Sequence, residues 1–111
     1  MAIQQWNEDT LVVRLSDDPA LSDDMEEMRA RLGGGCCDVV LDLSDLTLLV
    51  SSGLASLLRL RKRQIEGGRR LILCCPQDEV WGVFLATGLD TLFTFVPTVS
   101  EALAQMQTGK A

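Results

Sequence analysis

Residues 39–58 read VVLDLSDLTLLVSSGLASLL, and this run contains a strand, a loop and the start of a helix. Residues 39–43 are apolar except for Asp42 and show no alternation, which is typical of a strand covered on both faces of a parallel sheet. A loop follows over residues 44–47, and Ser51-Ser52-Gly53 begins a helix that Gly67-Gly68 is expected to end. That helix has apolar residues at helical spacing, which are Leu54, Leu57, Leu58 and Ile65.

Turn signals divide the rest of the chain into short apolar segments on either side of this run. They predict further strands over residues 2–6, 11–15, 71–75 and 93–95. A helix capped by Ser22 is expected to run to about Leu32. Another is expected between a cap at Asp78 and Gly88, with one face formed by Val80, Val83, Phe84 and Thr87. A Thr98 and Glu101 capping box predicts a last helix over residues 99–107.

The order of these elements is β-β-α-β-α-β-α-β-α. Such alternation predicts an α/β fold with a single mixed β-sheet of four to five strands and about four helices. A length of 111 residues with 47% hydrophobic residues is expected to form one domain over residues 1–111.

The composition excludes several classes of function. The chain has no histidine, which removes Ser-His-Asp and Cys-His triads and any histidine-ligated zinc site. A net charge of −6 is a poor match for nucleic acid or an anionic membrane. Because no run of about 18 apolar residues occurs, we expect no direct membrane insertion and a cytoplasmic protein. No cofactor is predicted.

The four cysteines form two adjacent pairs, Cys36-Cys37 and Cys74-Cys75. Neither pair has the C-x-x-C spacing of a zinc or redox motif. Cys74 and Cys75 end an apolar run, so the favoured interpretation is that they act as small hydrophobic residues. A cross-link between the two pairs is the alternative, which a reducing compartment disfavours.

Basic residues are concentrated in one part of this acidic chain. Residues 46–75 contain six basic side chains and one acidic side chain, and residues 59–63 hold four of the six. The simpler interpretation is the solvated side of an amphipathic helix, whose C-terminal half favours positive charge. The functional alternative is a docking patch for an acidic partner.

Ser51 is the candidate functional residue of the chain. Its simplest role is structural, as a helix cap followed by a glycine that eases a tight turn. The alternative is a phosphorylation switch, because the first turn of a helix has unpaired N–H groups that favour an anion. A role as nucleophile is disfavoured, since no histidine is present to take the proton.

The ordered set of segments resembles the STAS domain, the fold of bacterial anti-sigma-factor antagonists. The resemblance is carried by residues 39–58, by Gly67-Gly68 before Leu71-Ile72-Leu73, and by Thr87-Gly88-Leu89. It continues through Phe93-Thr94-Phe95 and through Thr98 with Glu101-Ala102-Leu103. It implies a non-enzymatic regulatory domain that binds other proteins.

The resemblance also implies partners and site residues. In the phosphorylated members the acceptor is the serine directly after a motif aspartate, which corresponds to Ser51 here. An anti-sigma factor that is also a serine kinase would modify it, and a PP2C-type phosphatase would restore it. The implied partner-binding residues are Ser51, Ser52, Gly53 and Leu54, with Asp17 or Asp18 as an additional candidate on the first loop.

Position 50 departs from the family pattern, because it is valine where the phosphorylated members have aspartate. Valine has no charge and no hydrogen-bond acceptor to offer beside the hydroxyl group of Ser51. This departure favours the alternative of a constitutive accessory subunit in a transporter or a stress-signalling assembly. A small enzyme or nucleotide-binding protein is disfavoured, because the chain has no G-x-x-x-x-G-K loop.

Overall fold

The computed structural model describes residues 3–17, 20–31 and 37–108. They form one five-stranded sheet with the strand order β1-β2-β3-β4-β5. The strands are β1 Ile3–Asn7, β2 Thr10–Ser16, β3 Asp38–Asp45, β4 Leu71–Cys74 and β5 Thr94–Val96. The helices are α1 Ala20–Arg31, α2 Ser51–Glu66, α3 Asp78–Thr87 and α4 Val99–Thr108, with a short 3-10 helix at Leu89–Thr91. The predicted mixed sheet and element order are confirmed.

Only the first pair of strands is antiparallel. β1 turns back on β2 through a tight turn, whereas β2, β3, β4 and β5 are mutually parallel. The carboxyl ends of four strands therefore meet at one edge of the sheet. The loop that follows β3 and leads into α2 leaves the sheet at this edge.

The larger core lies between the sheet and three helices. α1 contributes Leu21 and Met28 to it, α2 contributes Leu57 and Leu60, and α3 contributes Val80 and Phe84. Inward-facing residues of the strands complete this core, among them Leu11, Val13, Leu15, Val39, Leu41, Leu43 and Leu73. The apolar run of residues 39–43 thus forms a central strand with both faces covered, as expected for a parallel sheet.

The opposite face of the sheet carries a smaller core with α4. Val40, Ile72, Cys74 and Val96 pack there against Ala102 and Met106. Cys37, Cys74 and Cys75 are free thiols, and Cys37 and Cys74 are buried, as predicted for structural cysteines. Cys36 lies outside the described residues.

Buried Gln64 fixes the C-terminal end of α2. Its side-chain amide donates hydrogen bonds to the carbonyl oxygens of Cys37 and Arg70, each at 2.9 Å. These carbonyls lie next to the starts of β3 and β4, so one polar side chain ties α2 to two strands. Buried polar groups are tolerated when they are hydrogen-bonded in this way.

The predicted N-caps of α1 and α3 are wrong. α1 begins at Ala20, so Ser22 lies inside its first turn and is not the cap. The amide of Ala20 donates to the carbonyl oxygen of Asp17 at 3.1 Å, which starts the helical turn earlier than expected. α3 has Gln77 as its N-cap, and Asp78 is the first helical residue, where its charge still complements the helix dipole. Leu32, the predicted end of α1, is outside the described residues.

Two residues that the sequence placed with the apolar positions of their helices are exposed. Ile65 is 57% exposed, because the buried side of α2 is formed by Leu57, Leu60 and Gln64. Thr87 is also exposed, and its hydroxyl donates to the carbonyl oxygen of Val83 at 2.8 Å. Gly67 caps α2, and Gly88 caps α3 with a φ of 73°, as the sequence predicted.

Candidate functional site

Ser51 and Ser52 are the first two residues of α2, and both are exposed. The interpretation of Ser51 as the helix cap is wrong, because the N-cap is Val50, with φ −102° and ψ 174° and no side-chain capping hydrogen bond. The first intrahelical bond runs from the amide of Leu54 to the carbonyl oxygen of Val50 at 3.0 Å. The amides of residues 51–53 precede this bond and have no intrahelical acceptor. The helix start therefore presents two hydroxyl groups beside backbone N–H donors.

Gly53 and Leu54 pack the start of α2 against neighbouring segments and the larger core. A Cβ atom on Gly53 would lie 2.9 Å from a side-chain carbon of Leu49 and 3.1 Å from one of Leu21. Glycine therefore allows α2 to begin in close contact with its own loop and with α1. Leu54 is half-buried and packs against the larger core. Ser51 and Ser52 therefore lie at the surface of a closely packed helix start.

Asp17 connects the first loop to the loop that leads into α2. Its carboxylate accepts hydrogen bonds from the amide of Thr47 at 2.9 Å and the amide of Leu48 at 3.1 Å. It also accepts one from the hydroxyl of Thr47. These bonds, that of the Thr47 hydroxyl first, lower the pKa of Asp17 below its ordinary value of 3.8. Asp18 lies outside the described residues.

The lowered pKa of Asp17 predicts an acid-sensitive contribution to stability. The contribution is present above the unfolded-state pKa and is lost as the pH falls through the lower folded-state pKa. Asp17→Asn keeps an acceptor oxygen for the two amides and removes the charge. We expect the difference in unfolding midpoint between wild type and Asp17→Asn to be largest near neutral pH and to vanish at low pH. Urea titrations across that range measure it, and a pH-independent difference would contradict this role of the charge.

Exposed apolar side chains flank the serines. Leu48 is 65% exposed and Val50 is 45% exposed, whereas Leu49 between them is buried. Sequence reasoning did not single out Leu48 and Val50 as surface residues. The sequence did contain an indication of their exposure. Residues 48–50 are a short apolar run between a loop and a helix, outside the predicted strands. We call Leu48, Val50, Ser51 and Ser52 the α2-start surface.

The basic residues of α2 divide into two kinds. Arg59 and Lys62 are exposed and make local contacts, with Ser56 at 3.1 Å and Glu66 at 3.9 Å respectively. Arg61 donates to the carbonyl oxygen of Leu92 at 2.9 Å, and Arg63 to that of Arg29 at 3.4 Å. Arg61 and Arg63 thus tie α2 to neighbouring segments, and Arg59 and Lys62 form a solvated face. The docking-patch interpretation stays a prediction.

This combination of a mixed five-stranded sheet and four helices defines a small α/β domain. The matching family model is that of the STAS domain, and it covers residues 3–102. The chain belongs to the STAS domain family. Across residues 3–17, 20–31 and 37–108, none of the helices combines the length and the hydropathy that a bilayer span requires.

Solved structures share this fold at low sequence identity. A candidate anti-sigma factor antagonist from Thermotoga maritima has a TM-score of 0.84 at 19% identity, over 95% of this chain and 92% of that chain. The anti-sigma factor antagonist SpoIIAA in its unphosphorylated form has a TM-score of 0.80 at 22% identity, over 95% and 94% of the two chains. The Bacillus cell fate determinant SpoIIAA in its phosphorylated form has a TM-score of 0.74 at 20% identity, over 94% and 96%. No curated protein matches the chain.

Proposed function

We propose that this protein is an anti-sigma-factor antagonist that binds an anti-sigma factor with serine-kinase activity. The α2-start surface is the proposed contact, and phosphorylation of Ser51 is the proposed switch that ends binding. The observation that carries the proposal is the exposed hydroxyl of Ser51 at a helix start, beside the exposed apolar side chains of Leu48 and Val50. The proposed place of action is the cytoplasm, where sigma factors and their regulators meet.

The other site residues are assigned supporting roles. Ser52 lies on the α2-start surface and contacts the partner. Gly53 and Leu54 hold the helix start against the core, and Asp17 holds the loop that carries Leu48. Exposed apolar side chains are contacts that a partner protein buries favourably.

Phosphorylation at Ser51 would change the surface and leave the fold intact. A phosphoserine has a charge of about −2, and the first turn of a helix accommodates negative charge. In the complex the same group would have to be desolvated between apolar side chains, which disfavours binding. Because Ser51 is exposed, a kinase and a PP2C-type phosphatase could both reach its hydroxyl oxygen.

The decisive experiment is phosphorylation in vitro by the proposed partner, an anti-sigma factor with serine-kinase activity. The purified chain is incubated with that kinase and ATP, and modified sites are mapped by mass spectrometry. We expect one phosphate per chain on Ser51. Ser51→Ala should abolish labelling, whereas the matched variant Ser52→Ala should retain it. Labelling at Ser52, or none at Ser51, would contradict the proposed switch.

Val50 favours a second candidate function, that of a constitutive accessory subunit of a transporter or a stress-signalling assembly. Its side chain has no acceptor beside Ser51, in contrast to the family aspartate. Val50→Asp restores that carboxylate in the same kinase assay. Labelling of Val50→Asp but not of the wild type would favour the constitutive role. Co-purification of a permease or of a stress-signalling scaffold, with no sigma regulator, would support it independently.

A further inference from the structure

Three side chains of metal-ligand type meet at the carboxyl ends of β3 and β4. Asp42 and Cys74 are register partners on these parallel strands, and Cys75 follows directly. A carboxylate oxygen of Asp42 and the two sulfur atoms all lie within 4.8 Å of one another. They are on the sheet face that carries α4, so they are separate from the larger core beneath the α2-start surface.

The backbone at Cys75 brings the two adjacent thiols together. In a regular strand neighbouring side chains point to opposite faces. β4 ends at Cys74, and Cys75 has a φ of 60°, a left-handed conformation that is uncommon for a residue with a side chain. Its amide donates to the carbonyl oxygen of Val96 at 3.4 Å. As a result Cys75 packs against the same smaller core that contains Cys74.

We propose that Asp42, Cys74 and Cys75 form a binding site for a thiophilic divalent cation such as Zn²⁺. Two thiolates and one carboxylate oxygen are a donor set that zinc accepts, and a fourth position would be open to water. Ligand atoms around one tetrahedral zinc lie about 3.5–3.8 Å apart, given the usual zinc–sulfur and zinc–oxygen bond lengths. Side-chain rotations that move the ligand atoms by about 1 Å would therefore bring them to these separations.

The thiol of Cys74 donates to the carbonyl oxygen of Leu41 at 3.5 Å, a contact that coordination of the sulfur would replace. Cys75 is half-buried, which gives a cation access from solvent, and Cys74 is fully buried beneath it. The carboxylate of Asp42 accepts from the amide of Ser44 at 2.9 Å through one oxygen. Its other oxygen accepts a hydrogen bond from Nε of Arg14 at 3.4 Å, and the exposed Arg14 side chain also lies 3.9 Å from the carboxylate of Asp45.

Binding requires the loss of both thiol protons. Cysteine coordinates a metal through its thiolate, so Cys74 and Cys75 would both bind the cation in the deprotonated form. A bound cation deprotonates a coordinating thiol. Each cation bound therefore releases two protons to solvent and introduces two sulfur–metal bonds, with no change of oxidation state.

The test is a Co²⁺ titration of the full chain, kept anaerobic and reduced with a phosphine. We expect one Co²⁺ per chain, with the near-ultraviolet thiolate-to-cobalt charge-transfer absorption and the visible bands of tetrahedral Co²⁺. Added Zn²⁺ should displace it. Cys75→Ser should weaken binding at least about 100-fold, and Asp42→Asn about 10–100-fold. Cys75 is the better choice than Cys74, because a substitution at the fully buried position could prevent folding.

The second cysteine pair supplies the control. A Cys36→Ser, Cys37→Ala double variant keeps the proposed ligands and removes the other two thiols, with alanine at position 37 because that side chain is buried. It should bind Co²⁺ as the wild type does. Absence of thiolate charge-transfer absorption in the wild type would overturn the proposal. So would an unchanged signal in Cys75→Ser, or its loss in the double variant.

Discussion

Phe84→Ala is expected to lower the free energy of unfolding by about 3–5 kcal/mol, the usual range for removing a buried phenyl ring. Phe84 is fully buried on α3 within the larger core. Its ring meets that of Phe95 at a centroid distance of 5.0 Å and that of Phe93 at 5.7 Å, both edge to face. The loss therefore combines a cavity with two aromatic contacts. Domains of this size have about 5–15 kcal/mol in total, so the variant should be marginally folded.

Leu85→Ala is the matched control for this prediction. Leu85 is the next residue of α3 and is 52% exposed, so its truncation should lower stability by less than about 1 kcal/mol. Urea unfolding followed by circular dichroism measures both variants against the wild type. Equal midpoints for the two variants would show that the aromatic cluster is not the anchor of α3.

The order of strands and helices along the chain could be predicted because apolar runs and turn residues separate the elements. Residues 39–43 are almost wholly apolar, and only a strand covered on both faces buries such a run. Gly88 marked a helix end because a left-handed residue is needed there. The last predicted strand was displaced by one residue, since β5 is Thr94–Val96. Phe93 is instead a buried residue just before that strand.

The orientation of α2 could not be read from hydrophobicity alone. Ile65 has helical spacing from Leu54, Leu57 and Leu58, yet it faces solvent. The position actually buried is Gln64, whose amide donates to two carbonyl oxygens just before β3 and β4 that no apolar side chain could satisfy. Such a position is set by tertiary hydrogen bonding, which a single helix does not contain.

The sequence predicted where the candidate site lies along the chain, but not which side chains are exposed around it. Ser51 was predicted at the start of a helix following a strand, and the structure places it there as the first helical residue. The exposure of Leu48 and Val50 depends on which side of the loop the core covers, so it emerged only from the fold. The left-handed conformation of Cys75 also could not be predicted, since position 75 is neither glycine nor asparagine, the residues that usually adopt it.

Ser51→Glu is expected to weaken binding to the proposed anti-sigma factor at least about 100-fold, equivalent to about 2.7 kcal/mol. A carboxylate at this position would have to be desolvated between Leu48 and Val50 when the partner covers the α2-start surface. The fold should persist, because a negative charge in the first turn of a helix is favourable. Isothermal titration calorimetry with the purified partner measures the affinity, and urea unfolding verifies that the variant is folded.

Ser100→Glu is the charge-matched control for Ser51→Glu. Ser100 is exposed and is the second residue of α4, so the substitution adds the same charge in the first turn of another helix. α4 packs on the opposite face of the sheet from α2, so we expect the affinity to change less than about threefold. If both variants lose affinity equally, the general negative charge of the chain is responsible. If neither does, the partner binds away from the α2-start surface, and Ser51 is not the residue that controls binding.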